Sequence, residues 1–279
     1  MKKALERLMI KAAKKDFFWK LLKPVSTAGI ILNNSRLAHL KQKTRSESKF
    51  DSIFKSLTVL NGPFKGLRYP SLDSVGSAIY PKLLGSYESE LHETIASIID
   101  EEYTEIIDIG CAEGYYAVGM ARNYDNVKIY AFDINEKARK LCSDMAILNG
   151  VAEKIEIHSE CTPELLKTFN FSQKGLIICD CEGFESELFN TENIRNLKQC
   201  DLIIELHDFI DIEISNKLKE LFSRTHDVES IFSLDDIHKA QNYDFNELFG
   251  MTLIDKKRIL SEWRPAIMEW IICKPKTEM

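Results

Sequence analysis

The stretch EIIDIGCAEGYYA, residues 105–117, decides how this chain is read. It begins as a short apolar run, Ile106, Ile107 and Ile109, the pattern of a buried strand. It then passes through Asp108-x-Gly110 and Gly114 into YYAVGMARNY, which reads as a helix. Gly110 lets the backbone turn tightly and lets a ligand approach the main chain. Gly114 allows close passage at the helix start, where free N–H groups and the helix dipole favour an anionic group. In doubly wound α/β sheets, this first strand-to-helix turn is where nucleotide-like ligands sit.

Outward from the loop, the alternation continues. KIYAFDI (128–134) is a second strand, followed by the helix EKARKLCSDMAILNG, closed by Gly150. KIEIHS is a third strand, followed by a short helix near 163–169. GLIICDCEG (175–183) and DLIIELHD (201–208) are the fourth and fifth strands, with helices beginning at ESELFN and over 212–224. VESIFS (228–233) reads as a sixth strand. The last, AIMEWIICKP (266–275), follows a polar and aromatic insertion at 234–262 and can enter the sheet antiparallel. This alternation predicts an α/β fold, a mostly parallel sheet covered by helices on both faces with right-handed crossovers.

Upstream, a helix is expected from about Glu88 to Ile99, and 70–85 reads as a loop. SLTVLNGPFKGLRYP (56–70) reads as a hairpin around Asn61-Gly62-Pro63. Residues 35–50 read as a linker. Residues 3–23 read as an amphipathic basic helix, which can pack on its own body, on a second copy of the chain or on a membrane surface. The expected division is therefore an N-terminal extension over 1–85 and a cofactor-binding domain over 86–279.

The whole-chain numbers narrow the class. At 44% hydrophobic and 29% charged, the 279 residues are an ordinary globular composition. No run approaches the roughly 20 apolar residues of a membrane span, and no signal peptide is evident, so a cytoplasmic location, with peripheral membrane contact left open, is expected. The seven cysteines include no CxxC pair and read as small buried hydrophobes. Residues 1–50 carry 13 Lys/Arg against 3 Asp/Glu, whereas the remainder carries 24 against 40. An acidic body argues against nucleic acid as a partner.

Asp133, 19 residues past Gly114 at the end of the second strand, can accept hydrogen bonds from both hydroxyls of a ribose; the other reading is a helix N-cap. The spacing Gly110-x-x-x-Gly114, with Ala112 where a second glycine would stand, departs from the dinucleotide fingerprint Gly-x-Gly-x-x-Gly. It favours S-adenosylmethionine, which has no phosphates, over NAD.

DIGCAEGYYA resembles the first motif of class I methyltransferases. LIICDCEGFESELF (176–189) resembles the Asp-x-Glu-Gly-x-Glu segment of the FkbM family of O-methyltransferases, and LIIELHD (202–208) resembles that family's following strand. The resemblance covers roughly 85–210 plus the closing strand, and Cys111-Ala112 replaces the family's more usual Ala-Asn. It implies a Rossmann-like seven-stranded sheet with one antiparallel strand, and methyl transfer from S-adenosylmethionine to a hydroxyl of a glycan or other small metabolite. It implies that Asp108, Gly110, Glu113 and Gly114 contact the methionine end of the cofactor. By the same resemblance, Asp133 and Ile134 hold ribose and adenine, with Ser159, Glu160 and Cys161 beside the adenine.

The fourth and fifth strand ends carry the reactive side chains. Asp180, Glu182, Glu185, Glu205, His207 and Asp208 are expected to converge at the carboxyl edge of the sheet. His207 is the natural base by its intrinsic pKa, with Asp180 or Glu182 orienting it or acting in its place. Alternatively, several of these groups bind Mg²⁺ or Mn²⁺. Glu185 reads as a helix-start charge. Tyr87, Glu88 and Glu90 read either as a flap over the cofactor or as a plain helix start. Two further readings stand beside this one: an NAD-dependent oxidoreductase, and a catalytically silent scaffold that keeps the fold.

Overall fold

The computed structural model describes residues 50, 52–243 and 245–276. The basic helix at 3–23, the linker at 35–50 except Phe50, and the membrane or self-association contacts expected of that helix lie outside the described residues. Among the described residues, no helix is long and apolar enough to cross a membrane.

Seven strands form one sheet: β1 (Glu105–Ile109), β2 (Lys128–Phe132), β3 (Ile155–His158), β4 (Gly175–Cys179), β5 (Asp201–Leu206), β6 (His226–Phe232) and β7 (Glu269–Pro275). Their order is β3-β2-β1-β4-β5-β7-β6. Neighbours among β1–β5 pair in parallel, while β7 runs antiparallel to both β5 and β6. This strand order, with its single antiparallel strand, is the Rossmann-like class I methyltransferase fold. The central strands are apolar runs because both of their faces are covered: every residue of β4 and β5 is buried.

The helices that follow β1 to β3 are α3 (Tyr115–Asn123), α4 (Glu136–Asn149) and α5 (Pro163–Thr168); α1 (Ile79–Leu84) and α2 (His92–Ile99) precede the sheet. After β4 come two short helices, α6 (Glu185–Leu188) and α7 (Ile194–Leu197), and α8 (Ile214–Phe222) links β5 to β6. Local chemistry marks several starts. Asn135 accepts from Lys137 N to cap α4, and Thr162 accepts from Leu165 N to cap α5, with Pro163 at the first helical position.

Three upstream expectations change. The 70–85 loop contains α1, which ends at Gly85 in a left-handed cap. The helix expected from Glu88 begins at His92, because Glu88 itself is left-handed at φ 47° and a 3₁₀ turn over Ser89–Leu91 intervenes. The 56–70 hairpin reduces to one antiparallel bridge, Thr58 with Arg68. Its ladder stops because the Leu60 N–H donates to Leu83 O of α1 at 2.9 Å instead of across the turn.

Residues 53–279 cluster as one compact unit, so 53–85 pack with the sheet-bearing part of the chain. Val59, Phe64, Leu67 and Tyr69 are all buried. Phe64 lies so close to α3 that a Cβ on Gly119 would sit 2.7 Å from its ring. The insertion over 234–262 is also ordered into helices, α9 (Asp236–Asn242) and α10 (Leu253–Leu260). Asp235 caps the first by accepting from Ile237 N and His238 N, and Thr252 caps the second.

Candidate functional site

The parallel registers bring the carboxyl ends of β1, β2 and β4 level, with Ile109 opposite both Phe132 and Cys179. At this edge, where chain direction across the sheet reverses, a cavity of about 550 Å³ opens. That is within the roughly 300–1,000 Å³ of small-molecule sites, and the position is where doubly wound sheets bind their ligands.

One half is built by the glycine loop. Gly110 is left-handed at φ 83°, and a Cβ there would lie 1.7 Å from the Asp180 carbonyl oxygen, so the loop rests directly on the end of β4. Asp108 is buried and accepts from Ala117 N at 2.9 Å, which ties β1 to the first turn of α3. Asp133 accepts from Ala112 N at 2.9 Å and from Asn135 N at 2.8 Å, joining the glycine loop to the end of β2. The α4 cap is therefore Asn135, and Asp133 stays at the cavity wall. Ile134, 85% exposed, stands beside it, with Ser159, Glu160 and Cys161 across the opening.

Two expected residues sit elsewhere. Neither Glu113 nor Gly114 lines the cavity. Glu113 is buried, with its carboxylate 2.6 Å from Lys82 Nζ and accepting from Ser74 Oγ and Val75 N. Lys82, which sequence reasoning passed over, does line the cavity, lying 4.7 Å over the Tyr87 ring. Gly114 acts in packing: a Cβ on it would come within 2.9 Å of Cys142 Sγ and Val118 Cγ2.

The other half holds the ends of β4 and β5. His207 is 2% exposed and lines the cavity. Its Nδ1 lies 2.8 Å from Glu185 Oε1, and its Nε2 lies 3.5 Å from Asp180 Oδ1 and 3.6 Å from Glu182 Oε2. Glu185 is fully buried, and its Oε1 also accepts from the Gly183 and Cys181 N–H groups. The group that orients His207 is thus Glu185, not a mere helix-start charge, while Asp180 and Glu182 face the opposite ring nitrogen. Burial alone would lower the His207 pKa, but the Glu185 carboxylate beside Nδ1 holds it above its ordinary value. Asp208 does not join the cluster; its Oδ1 accepts from Ser215 N at 2.9 Å in the first turn of α8.

A largely buried charge network that no motif announced reaches into this half through Glu205, Glu262 and Arg264. Arg264 pairs with Glu205 Oε1, with Glu262 Oε2 at 2.9 Å, and with Glu88 Oε1 at 3.0 Å. Lys239, fully buried, pairs with Glu262 and lies 3.6 Å from Glu90. Glu88 and Glu90 are therefore interior anchors rather than a flap. Burial, the largest cause in each case, pushes Glu88, Asp108 and Asp180 up to about 7 and Glu205 up to about 8.

These shifts set a pH dependence. Each of the four carboxyls, like His207, binds its proton more tightly folded than unfolded. Such groups contribute stability that is complete below their unfolded pKa, about 4 for a carboxyl, and is lost as pH rises through the folded value. His92 and His226, whose burial lowers their pKa, act in the opposite sense below about 6.5 but are fewer. The melting temperature of the ligand-free protein is expected to fall between about pH 5 and pH 8. A flat or rising profile in calorimetric scans would contradict the assignment.

No family model matches the chain. Over 76 residues it is 33% identical to a protein of Dictyoglomus turgidum named release factor glutamine methyltransferase. The match takes in 26% of this chain and spans only 27% of that protein. Among solved structures, it is similar to the O-methyltransferase TomG of Streptomyces achromogenes, involved in tomaymycin synthesis, at 10% identity and TM-score 0.44, covering 69% of this chain and 82% of that one. It is also similar to a Geobacter sulfurreducens S-adenosylmethionine-dependent methyltransferase at 12% identity and TM-score 0.41, covering 67% and 91%. Strand order and the antiparallel β7 define the fold.

Proposed function

We propose that the protein is an S-adenosylmethionine-dependent O-methyltransferase of the FkbM type, acting on a hydroxyl of a glycan or other small metabolite. One observation carries this reading: a buried Glu185–His207 pair presents the His207 Nε2 to the same cavity that the glycine loop and Asp133 wall on the other side. When bound, S-adenosylmethionine supplies an electrophilic methyl group on a positively charged sulfur. Asp108, the Gly110 turn, Lys82 and Ser77 fit the methionine end, and Asp133, Ile134, Glu160 and Cys161 fit the ribose and adenine. Asp133 suits a ribose because its carboxylate is already held in place by two backbone N–H groups. His207 Nε2 accepts the proton of the acceptor hydroxyl, and Glu185 stabilises the resulting imidazolium through Nδ1. Asp180 and Glu182, beside the same Nε2, hold the acceptor so that its hydroxyl points toward the methyl group.

The test is direct. Calorimetry should detect binding of S-adenosylmethionine, and mass spectrometry should detect acceptors heavier by one methyl in place of hydrogen. Absence of cofactor binding would reject the proposal.

A second reading assigns the proton transfer to a divalent metal. Asp180, Glu205 and His207 each offer a ligand atom, all within 4.8 Å of one another, and Asp180 Oδ1 has no hydrogen-bond partner. One imidazole with two carboxylates suits Mn²⁺ better than Mg²⁺. Against it, Glu205 is already paired with Arg264, whose guanidinium supplies positive charge at this spot. Under the histidine reading, turnover should survive exhaustive chelation. Loss of activity that Mn²⁺ restores would transfer the role to a metal.

A further inference from the structure

The acceptor half of the cavity is walled by aromatic side chains. Trp263, Phe209 and Phe184 line it and are 74%, 47% and 38% exposed. Trp263 is held there against its backbone preference. It sits at φ 60°, a left-handed conformation unusual for a bulky residue, between two anchored neighbours, Glu262 and Arg264. Both neighbours turn inward to the buried charge network, and Trp263 is left at the opening. A strained residue retained at a cavity mouth points to a ligand contact.

The charges of the cavity select among ligands. The two permanently cationic side chains among its described lining residues, Lys82 and Arg264, are both committed internally. Lys82 pairs with Glu113 and donates to Ser77 Oγ at 2.6 Å. Arg264 is shared by Glu88, Glu205 and Glu262. By contrast, no lysine or arginine pairs directly with Asp180 or Glu182 among the described ion pairs: each faces the His207 imidazole, and Arg264 reaches Asp180 only at longer range, from its pairing with Glu205. The Asp180 Oδ1 is buried without a hydrogen-bond partner, and Glu182 is mostly exposed at the same wall. The almost fully buried His207 aims its Nε2 between these two carboxylates. A phosphate or carboxylate on the acceptor would meet two acidic groups, and the cations nearby, Arg264 and His207, already face carboxylates. A protonated amine would meet two carboxylates and the faces of aromatic rings, a favourable setting for a cation.

Resting on the methyltransferase reading of this site, we infer that the acceptor is a ring-bearing molecule with a protonated amine beside the methylated hydroxyl. Trp263 packs on the ring, and Asp180 with Glu182 receives the amine. Phosphorylated and nucleotide-linked acceptors are excluded.

The cofactor also carries an ammonium group, so the experiment must separate the two sources of positive charge. The full chain is titrated with glucosamine, N-acetylglucosamine and glucosamine 6-phosphate, each with and without saturating S-adenosylhomocysteine, and binding is read by saturation-transfer NMR. Glucosamine should bind about tenfold more tightly than its N-acetyl form, and the phosphate more weakly still. The preference should persist when S-adenosylhomocysteine fills the cofactor half. Glu182→Gln should shrink the amine preference to about threefold or less, and Trp263→Ala should weaken binding about tenfold while Trp263→Phe largely restores it. S-adenosylmethionine calorimetry on each variant checks that it is folded. Equal or tighter binding of the phosphate would overturn the inference. So would a preference that Glu182→Gln leaves unchanged, or one abolished by S-adenosylhomocysteine, which would assign the carboxylates to the cofactor. Failure of S-adenosylmethionine to bind at all would instead defeat the proposed function, while the NMR comparison would still report the selectivity of the cavity.

Discussion

His207→Ala is expected to lower the rate of methyl transfer by about 10²–10⁴-fold, the range for removal of a positioned general base, with little change in S-adenosylmethionine affinity. The expectation follows from where the side chain stands. It is at the end of β5, facing the cavity, and on the opposite side from the loop and Asp133. Glu185→Gln separates a catalytic pair from a structural one. The amide keeps the size of the side chain but removes the charge that holds the His207 pKa above its ordinary value. A base must be unprotonated, so the activity of the native protein should rise with pH through an apparent pKa above 6.5. In the variant, that limb should move to lower pH while the plateau rate falls. Glu185 is a positioning residue on this account. A Glu185→Gln enzyme with the native pH profile would remove it from the mechanism, even if its rate were reduced. A His207→Ala enzyme with native turnover would leave Asp180 or Glu182 as the base.

Gly110→Ala is the second large effect, and it acts before any chemistry. The added Cβ would fall 1.7 Å from the carbonyl oxygen of Asp180 and 2.8 Å from its carbonyl carbon. Both are backbone atoms, so relief requires β1 and β4 to separate at the centre of the sheet. The left-handed φ of 83° adds a further penalty for any L side chain. Together these should destabilise the fold by about 4 kcal/mol or more, giving insoluble protein or a melting temperature lowered by about ten degrees or more. Gly150→Ala is the control. Gly150 is also left-handed, at φ 70°, but nothing lies within 4 Å of its Cβ position. It should cost only about 1 kcal/mol, a shift of a few degrees. If the two variants melted alike, contact with β4 would not be the reason for the glycine at 110.

Gly110 was legible from the chain alone, because a glycine directly after an apolar strand and before a helix has few other uses. Asp133 was legible for the same reason, and the structure shows why it is free to face the cavity: the neighbouring Asn135 does the capping. Asp180, Glu182 and His207 could be placed at strand ends, and strand ends in a parallel sheet share one edge. Their partners could not be read in this way. Glu185 has the pattern of a helix-start charge, and only the packing of α6 against the end of β5 brings it within 2.8 Å of His207. Glu113 lies inside the recognisable motif, yet its carboxylate is turned away to Lys82, 31 residues earlier.

Local chemistry in the sequence determined the strands, their helices and the loop between β1 and α3, since apolar runs, caps and glycines act over a few residues. It also determined the closing strand, although its direction was only an allowance until its pairing with β5 was seen. Tertiary structure decided the rest. Arg264 and Glu88 are 176 residues apart, and Lys239 and Glu262 are 23 apart, and no periodicity links them. Burial made their charges dependent on one another, because an ion removed from water must find a counter-charge wherever the fold supplies one. That same requirement leaves Trp263 at the mouth of the cavity and its two neighbours inside.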